Sequence, residues 1–275
     1  MTNIDNKTVE SFGEEWTRFD QRGMPDSEAK TRFEEYFAVF PWDDLPVKAE
    51  GFDMGCGTGR WARWVAPKVS KLHCIDPSDA IAVAQVNLSD HENVSFHKES
   101  LDSRCLPSNS QDFGYSLGVL HHVPDTEAAI QSCVDLLKPG APLLLYLYYS
   151  FDNRPWWFRI IWQISDIGRQ MIYRLPSRPK HIITDIIALL VYLPLTTLSS
   201  LIERMGFDVS NLPLSYYRKY SFYTMRTDAR DRFGTPLERR FSRKKITEMM
   251  EGAGLSEVRF SESVPHWCVV GVKRN

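Results

Sequence analysis

The sequence lacks several features that would narrow its function at a glance. Its 275 residues carry a formal net charge of −2, so no basic excess points to a nucleic-acid partner. The five cysteines are scattered without a Cys-x-x-Cys pair, which favours reduced thiols over a disulfide framework or a zinc site. The N-terminal stretch MTNIDNKTVESFGEEW is polar and acidic, unlike a signal peptide. We therefore expect a cytoplasmic protein that does not bind nucleic acid.

Strand-like and helix-like stretches alternate between residues 47 and 150. The apolar runs KLHCID, VSFHKE, DFGYSLGVL and APLLLYLYY are separated by helical patterns such as DTEAAIQSCVDLL. The alternation stops after residue 150 and resumes near residue 241 with a helix and two closing strands, SEVRFSES and HWCVVGVKR. This pattern predicts an α/β fold with a doubly wound, mostly parallel seven-stranded sheet that is covered on both faces.

The same pattern predicts a division of the chain into three parts. Residues 1–46 form a helical segment, residues 47–150 and 241–275 form the sheet core, and residues 151–240 form a helical insertion after the fifth strand. Loops at the carboxyl ends of parallel strands form the ligand-binding face, so we expect the insertion to be a substrate cap or an interface. Phe12, Trp16 and Phe19 recur at helical spacing, which indicates either packing on the core or a lid.

The stretch DMGCGTGRW sets three glycines at alternate positions after an aspartate. Gly55, Gly57 and Gly59 remove the side chains that would keep a ligand from the backbone N–H groups and the start of the next helix. Asp76 ends the second strand, where a carboxylate can accept hydrogen bonds from two ribose hydroxyls. The third glycine comes one residue too early for the dinucleotide fingerprint, which disfavours the alternative of an NAD(P)-dependent oxidoreductase.

Four stretches in this order resemble the class I S-adenosylmethionine-dependent methyltransferases: DMGCGTGRW, CIDPS, DFGYSLGVLHHV and LLKPGAPLLLYLY. The small-molecule branch with the quinone-biosynthesis methyltransferases is the most similar, through GVLHHVPD and the turn LKPGA. The resemblance implies a Rossmann-like methyltransferase fold and S-adenosyl-L-methionine as cofactor. It also implies in-line methyl transfer to the O, N or C atom of a small acceptor.

The resemblance further implies which residues hold the cofactor. Asp53 and the first two glycines would contact its methionyl part, and Asp76 would bind its ribose hydroxyls. Glu99, Ser100 and Asp102 are alternatives for the contact with the adenine. Ser100 and the adjacent Leu101 fit the register of the family best. The predicted cofactor-binding set is Asp53, Gly55, Cys56, Gly57, Gly59, Asp76, Pro77, Ser100, Leu101, Leu117 and Gly118.

His121 and His122 are the candidate catalytic residues. They follow the fourth strand, close to the expected methyl group, and imidazole is suited to take a proton near neutral pH. The alternative is that one imidazole only packs or bonds a backbone carbonyl. Tyr148 and Tyr149, after the fifth strand, would orient a substrate or pack at the rim. No cluster has metal-ligand spacing, so a magnesium mechanism is not indicated.

The insertion begins with a segment rich in tryptophan and arginine, RPWWFRIIWQISDIGRQMIYR, a composition typical of a membrane interface or of a lid over an apolar substrate. Residues 186–202 then contain no charge, but Pro194 interrupts them, so a buried or interfacial helical hairpin is favoured over a membrane span. We expect an apolar or lipid-linked acceptor and contact of residues 154–202 with the inner face of a membrane. The alternatives are a core or homodimer interface, or a non-catalytic cofactor-binding scaffold with the insertion as a partner interface.

Overall fold

The computed structural model describes residues 3–103, 105–152, 154–263 and 267–275. The chain forms two compact units. The first comprises Met1–Asp20, Ala29–Ser150 and Leu237–Asn275, and the second comprises Gln21–Glu28 and Phe151–Pro236.

A seven-stranded sheet forms the centre of the first unit. Its strands are β1 (Glu50–Met54), β2 (Lys71–Ile75), β3 (Val94–His97), β4 (Phe113–Leu117), β5 (Pro142–Tyr146), β6 (Leu255–Phe260) and β7 (Cys268–Lys273). The spatial order is β3-β2-β1-β4-β5-β7-β6, with β1 to β5 parallel and β7 antiparallel to both neighbours. The predicted doubly wound, mostly parallel sheet is thus confirmed. The strand order reverses between β1 and β4, and such a switch point opens a crevice at the carboxyl ends of the strands.

Ten α-helices lie in the described part of the chain. They are α1 (Asn6–Arg18), α2 (Asp26–Tyr36), α3 (Ala62–Val65), α4 (Ala80–Asn87), α5 (Thr126–Leu136), α6 (Trp156–Ile172), α7 (Ser177–Ile187), α8 (Leu193–Arg204), α9 (Phe222–Gly234) and α10 (Arg243–Gly252). Side-chain caps explain several starts: the carboxylate of Asp125 accepts from the N–H of Ala128 at the start of α5, and the hydroxyl of Ser242 accepts from the N–H of Lys245 at the start of α10.

The two faces of the sheet bury separate apolar cores within the first unit. Ile130 of α5, Leu143 of β5 and Met250 of α10 belong to one of them. Phe37 and Tyr115 belong to the other, with their ring centroids 5.2 Å apart. Because both faces are covered, the central strands read as continuous apolar runs rather than as an alternation.

Pro194 does not interrupt its helix, which differs from the sequence expectation. A π-helical turn, Ala188–Tyr192, joins α7 to α8, so Ser177–Arg204 is a single helix of 28 residues. Proline lacks an N–H group and its ring crowds the preceding turn, and a wider turn accommodates both defects. Within the described residues, this is the one helix whose length and mean hydropathy of 1.9 would allow it to cross a membrane.

Candidate functional site

The turn after β1 has a conformation that favours glycine. Gly55, Gly57 and Gly59 have φ angles of +78°, +52° and +76°, in the left-handed region that other residues rarely adopt. A Cβ on Gly55 would lie 2.5 Å from Val119, and one on Gly59 would lie 2.7 Å from Leu88. A side chain at either position would displace its neighbour, so the close approach of the turn to the segment after β4 and to α4 depends on these glycines.

Asp76, directly after β2, holds the glycine turn in place. Its Oδ2 accepts a hydrogen bond from the N–H of Gly57 (2.8 Å). Its Oδ1 accepts from the N–H (2.8 Å) and the hydroxyl (2.6 Å) of Ser78. Burial raises the pKa of Asp76, and these hydrogen bonds oppose the shift. Each carboxylate oxygen has two lone pairs, so this clamp is compatible with further hydrogen bonds from ribose hydroxyls.

Asp53, in β1, is a buried carboxyl group without a geometrically defined hydrogen bond among the described residues. Burial raises its pKa to about 8, the nearby Tyr115 opposes that shift, and Asp76 adds to it. The group is therefore largely protonated at neutral pH. A buried polar group with no partner is costly unless a ligand satisfies it, and a cation beside Asp53 would favour the ionised form. The site is therefore compatible with the methionyl part of the cofactor, which the sequence expectation places here and which carries an α-ammonium group.

Helix α1 lies over the glycine turn. The indole nitrogen of Trp16 would be 3.5 Å from a Cβ on Gly57, and the guanidinium of Arg60 lies 5.5 Å from the centroid of the Trp16 ring. A Cβ on Gly13 would lie 3.5 Å from the backbone nitrogen of Asp79. The helix thus packs within the first unit with Trp16 beside the glycine turn, and its role as a lid stays a prediction.

The residues that precede α1 anchor it. Asn3 donates from Nδ2 to the carbonyl of Asp125 (2.7 Å) and accepts at Oδ1 from the N–H of the same residue (2.8 Å). The N–H of Asn3 also donates to the carboxylate of Asp102. Asp102, one of the alternatives for the adenine contact, therefore bonds the N-terminal segment in this structure.

Both candidate histidines are buried in a short helical turn after β4. His122 Nδ1 lies 2.6 Å from the carbonyl oxygen of Leu237. A carbonyl can only accept, so in a neutral ring Nδ1 carries the proton and Nε2 is the basic nitrogen. Nε2 has no hydrogen-bond partner among the described residues. His122 therefore bonds a backbone carbonyl through Nδ1, while its catalytic role through Nε2 stays a prediction.

His121 is held neutral by its surroundings. Burial lowers its pKa well below the usual value, and the neighbouring His122 and Arg240 lower it further. Its ring centroid lies 3.8 Å from that of Tyr148 and 4.0 Å from that of His122. Phe12 of α1 contacts His122 edge-on at 4.9 Å. The rings form one aromatic cluster that α1 covers.

Arg240 also belongs to this cluster, although the sequence alone did not indicate it as a site residue. Its guanidinium lies 5.0 Å from the ring centroid of Tyr148, and its Nη1 donates to the carbonyl of Tyr149 (3.3 Å). The carboxylate of Glu238 accepts from its Nε at 2.8 Å. The only sequence signal was its place in the arginine-rich stretch that returns the chain to the sheet, and that stretch gave no reason to choose this arginine over its neighbours.

The other predicted residues follow the carboxyl ends of the parallel strands. Gly118, with φ +81°, donates its N–H to the carbonyl of Tyr146 (3.0 Å) directly after β4. Ser100 forms a half-buried turn after β3 by accepting from the N–H of Ser103 (3.1 Å). Cys56 is buried, and burial raises the pKa of its thiol well above the usual value, so it is not a reactive thiolate. The remaining members of the predicted set are Pro77, half-buried after β2, Leu101, packed against the core, and Leu117, buried at the end of β4.

Comparison with known proteins relates this site to methyltransferases. The family described as Methyltransferase domain (Methyltransf_11) matches residues 52–145, from β1 to β5. The ubiquinone biosynthesis O-methyltransferase of Pectobacterium atrosepticum is 24% identical over 190 residues, which cover 65% of this chain and 76% of that protein. The protein of the same name from Xanthomonas axonopodis pv. citri is 29% identical over 145 residues, which cover 52% of this chain and 58% of that protein.

The fold has counterparts among solved structures. Human N-acetylserotonin methyltransferase, solved in complex with S-adenosylmethionine, superposes with a TM-score of 0.53 at 14% identity, over 96% of this chain and 57% of that one. At this identity the likeness concerns the fold alone. The Methyltransferase domain match contains the glycine turn, Asp76 and both candidate histidines.

Proposed function

Because this chain belongs to the class I S-adenosylmethionine-dependent methyltransferases, we propose that it methylates a hydroxyl group of a small apolar or lipid-linked acceptor. The observation that carries the choice of a hydroxyl is the unpartnered Nε2 nitrogen of His122, buried beside the imidazole of His121. A hydroxyl must lose a proton as its oxygen is methylated, and a neutral imidazole is the side chain suited to accept it near pH 7. The O-methyltransferase names of the relatives support the same choice.

Different residues of the first unit would contact different parts of the cofactor. Asp53 would receive the α-ammonium group, the glycine turn would leave room for the methionyl part, and Asp76 would accept hydrogen bonds from the ribose hydroxyls. Bound S-adenosyl-L-methionine supplies an activated methyl group on a sulfonium. Trp16 and Phe12 of α1 would exclude water from the turn and from the histidines. Excluding water strengthens the charge interactions of Asp53.

The aromatic cluster would hold the acceptor for the transfer. The half-buried ring of Tyr148, backed by His121 at 3.8 Å and contacted by the guanidinium of Arg240, would pack against a flat, apolar acceptor. His122 Nε2 would take the hydroxyl proton while the carbonyl of Leu237 keeps its Nδ1 protonated and its ring oriented. Since the sulfonium is already activated, positioning supplies much of the rate and the base supplies the rest.

Replacing Asp76 with alanine is expected to weaken binding of S-adenosylhomocysteine by about 1–3 kcal/mol. The change removes the ribose contact and also leaves the N–H of Gly57 without its acceptor. Calorimetry at constant pH measures the affinity. The matched control is Asp90→Asn, because Asp90 is an exposed carboxylate after α4. An unchanged affinity in the alanine variant would contradict the ribose assignment.

The acceptor proposal predicts a preference for apolar tails. Among phenols that share the same methylated ring, kcat/KM is expected to rise by about two- to fourfold for each additional buried methylene, from a transfer free energy near 0.8 kcal/mol. A series of alkyl phenols of increasing chain length, assayed with labelled cofactor, measures this slope. Equal kcat/KM across the series would contradict the proposal of a lipid-linked acceptor. Methylation of amines in preference to phenols would contradict the proposal of a hydroxyl acceptor.

A further inference from the structure

The second unit exposes an unusual amount of apolar side chain. Of the large hydrophobic residues exposed in the described part of the chain, all but Val47, Val86 and Phe222 lie between Trp156 and Phe207. They belong to α6, to the continuous α7–α8 helix and to the residues directly after it. A contiguous apolar surface of this kind marks a place where a protein meets an apolar partner.

The exposed apolar residues of α6 form one stripe. Successive members are three or four residues apart, which places them on a single helical face: Trp156, Ile160, Ile164, Ile167 and Met171. Other residues of α6 face the unit itself, since Arg169 donates to the carbonyl of Thr235 (3.0 Å) and to Asp166 (2.6 Å). The helix therefore has a polar attachment on one side and an unpartnered apolar stripe on the other.

The α7–α8 helix has the same two-sided character. Its buried side carries small and polar residues at three- or four-residue spacing: Thr184, Ala188, Tyr192, Thr196 and Ser199. This side packs on α9, where Asp185 pairs with Arg226 at 2.9 Å. Its exposed side includes Ile182, Ile186, Leu189, Leu190 and Leu193. A helix that spans a bilayer alone has lipid on every side, whereas this one is packed on a charged helix, so its geometry suits a position in the plane of the interface.

The charges around the apolar surface are mostly positive. Residues 154–207 contain seven basic and three acidic residues; Arg169 and Lys180 are buried, whereas four arginines are exposed: Arg159, Arg174, Arg178 and Arg204. Each of the three acids is paired with an arginine of the same unit: Asp166 with Arg169, Asp185 with Arg226 and Glu203 with Arg218. Arg174, between α6 and α7, and Arg178, in the first turn of α7, are both exposed. An apolar surface with a basic surround complements a layer of anionic headgroups over acyl chains.

We propose that the second unit docks on an anionic lipid bilayer through the exposed faces of α6 and α7–α8, which enter the boundary between headgroups and acyl chains. A second copy of the chain fits the surface less well, because a two-fold contact would bring two surfaces with basic surrounds together. The proposal rests on residues of the second unit and does not depend on the acceptor proposed for the first unit.

Vesicle co-sedimentation tests the docking surface. The full-length protein is expected to bind phosphatidylcholine vesicles that contain phosphatidylglycerol, more strongly than phosphatidylcholine alone, and added salt is expected to weaken the binding. The double variant Ile164→Glu/Leu190→Glu should bind about tenfold or more weakly, because charges on these positions oppose entry into the acyl boundary. Val86→Glu is the matched control, since Val86 is 63% exposed, against 64% for Ile164 and 66% for Leu190, and lies in the first unit.

A second variant separates charge from apolar contact. Arg174→Gln/Arg178→Gln is expected to reduce the preference for anionic vesicles while the binding of S-adenosylhomocysteine stays unchanged. The proposal is overturned if the wild-type protein binds no vesicles, or if the Ile164→Glu/Leu190→Glu variant binds as well as wild type. It is also overturned if bound protein resists extraction at high salt and alkaline pH, as a spanning helix would. A dimer that the same double variant dissociates, with no vesicle binding, would assign the surface to a second copy.

Discussion

Replacing His122 with asparagine is expected to lower kcat by about 10²-fold while the affinity for S-adenosylhomocysteine stays within about twofold. The asparagine side-chain nitrogen can occupy the place of Nδ1 and still donate to the carbonyl of Leu237, which His122 bonds at 2.6 Å. The variant lacks any group at the position of Nε2, so it removes the base and keeps the contact that orients the residue. This expected loss in kcat is at the low end for removal of a general base, because the sulfonium needs little further activation.

Two companion variants make this result specific. His91→Gln changes a half-buried histidine on the loop between α4 and β3 and should leave kcat unchanged. His121→Phe keeps a ring against Tyr148 and removes both nitrogens, so it should lower kcat less than His122→Asn does. Steady-state kinetics with labelled cofactor measure all three. If His122→Asn turns over like wild type, the base is not His122; if it loses cofactor affinity instead, the residue has a structural role.

The Asp53→Asn variant is expected to bind S-adenosylhomocysteine about tenfold or more weakly and yet to be the more stable protein without ligand. The loss of affinity follows from removal of the charge that meets the α-ammonium group, because hydrogen bonds to charged groups contribute about 1.5–3 kcal/mol. The gain in stability follows from the buried carboxyl group, whose pKa is raised from 3.8 to about 8 by burial. Asparagine has the same shape and no ionised form.

The stability difference has a defined dependence on pH. A raised pKa means that the folded protein holds the Asp53 proton more tightly than the unfolded chain does. The contribution of the Asp53 carboxyl group to the unfolding free energy is fully present below pH 3.8. It is lost as the pH rises towards about 8. Relative to the asparagine variant, the wild type should therefore lose up to about 1.4 kcal/mol of unfolding free energy per pH unit within this window. Urea unfolding without ligand at several pH values measures the difference, with Asp90→Asn as the control. A difference that does not change with pH would contradict the raised pKa.

The fold could be predicted because its signals are local. Apolar runs of strand length alternate with amphipathic helices from β1 to β5, and each run is marked off by a glycine, a proline or a capping aspartate. The glycine turn indicates a ligand for the same reason, since the left-handed φ angles of Gly55, Gly57 and Gly59 are needed within a single short stretch.

The site contacts that the sequence did not reveal are long-range. Asp76 bonds the N–H of Gly57, Phe12 of α1 contacts His122, and Leu237 supplies a carbonyl from beyond the insertion. None of these pairs has a periodic or local signal, because each depends on how separate elements pack. Arg240 illustrates the limit, since only the structure separates it from the neighbouring arginines.

The π-helical turn Ala188–Tyr192 shows a different limit of the sequence. A proline rule predicted an interruption at Pro194, but the tertiary packing of Ala188 and Tyr192 against Met225 and Ala229 keeps the backbone helical through a wider turn. Local propensity is a weak predictor where packing of a helix face supplies most of the stability.

Calorimetric titration of the ligand-free protein with S-adenosylhomocysteine, and separately with NAD, tests the central claim most directly. The glycine turn, with Asp53 and Asp76 beside it, predicts that S-adenosylhomocysteine binds at one site per chain and that NAD does not bind. Binding of the dinucleotide in place of S-adenosylhomocysteine would contradict the account of this site.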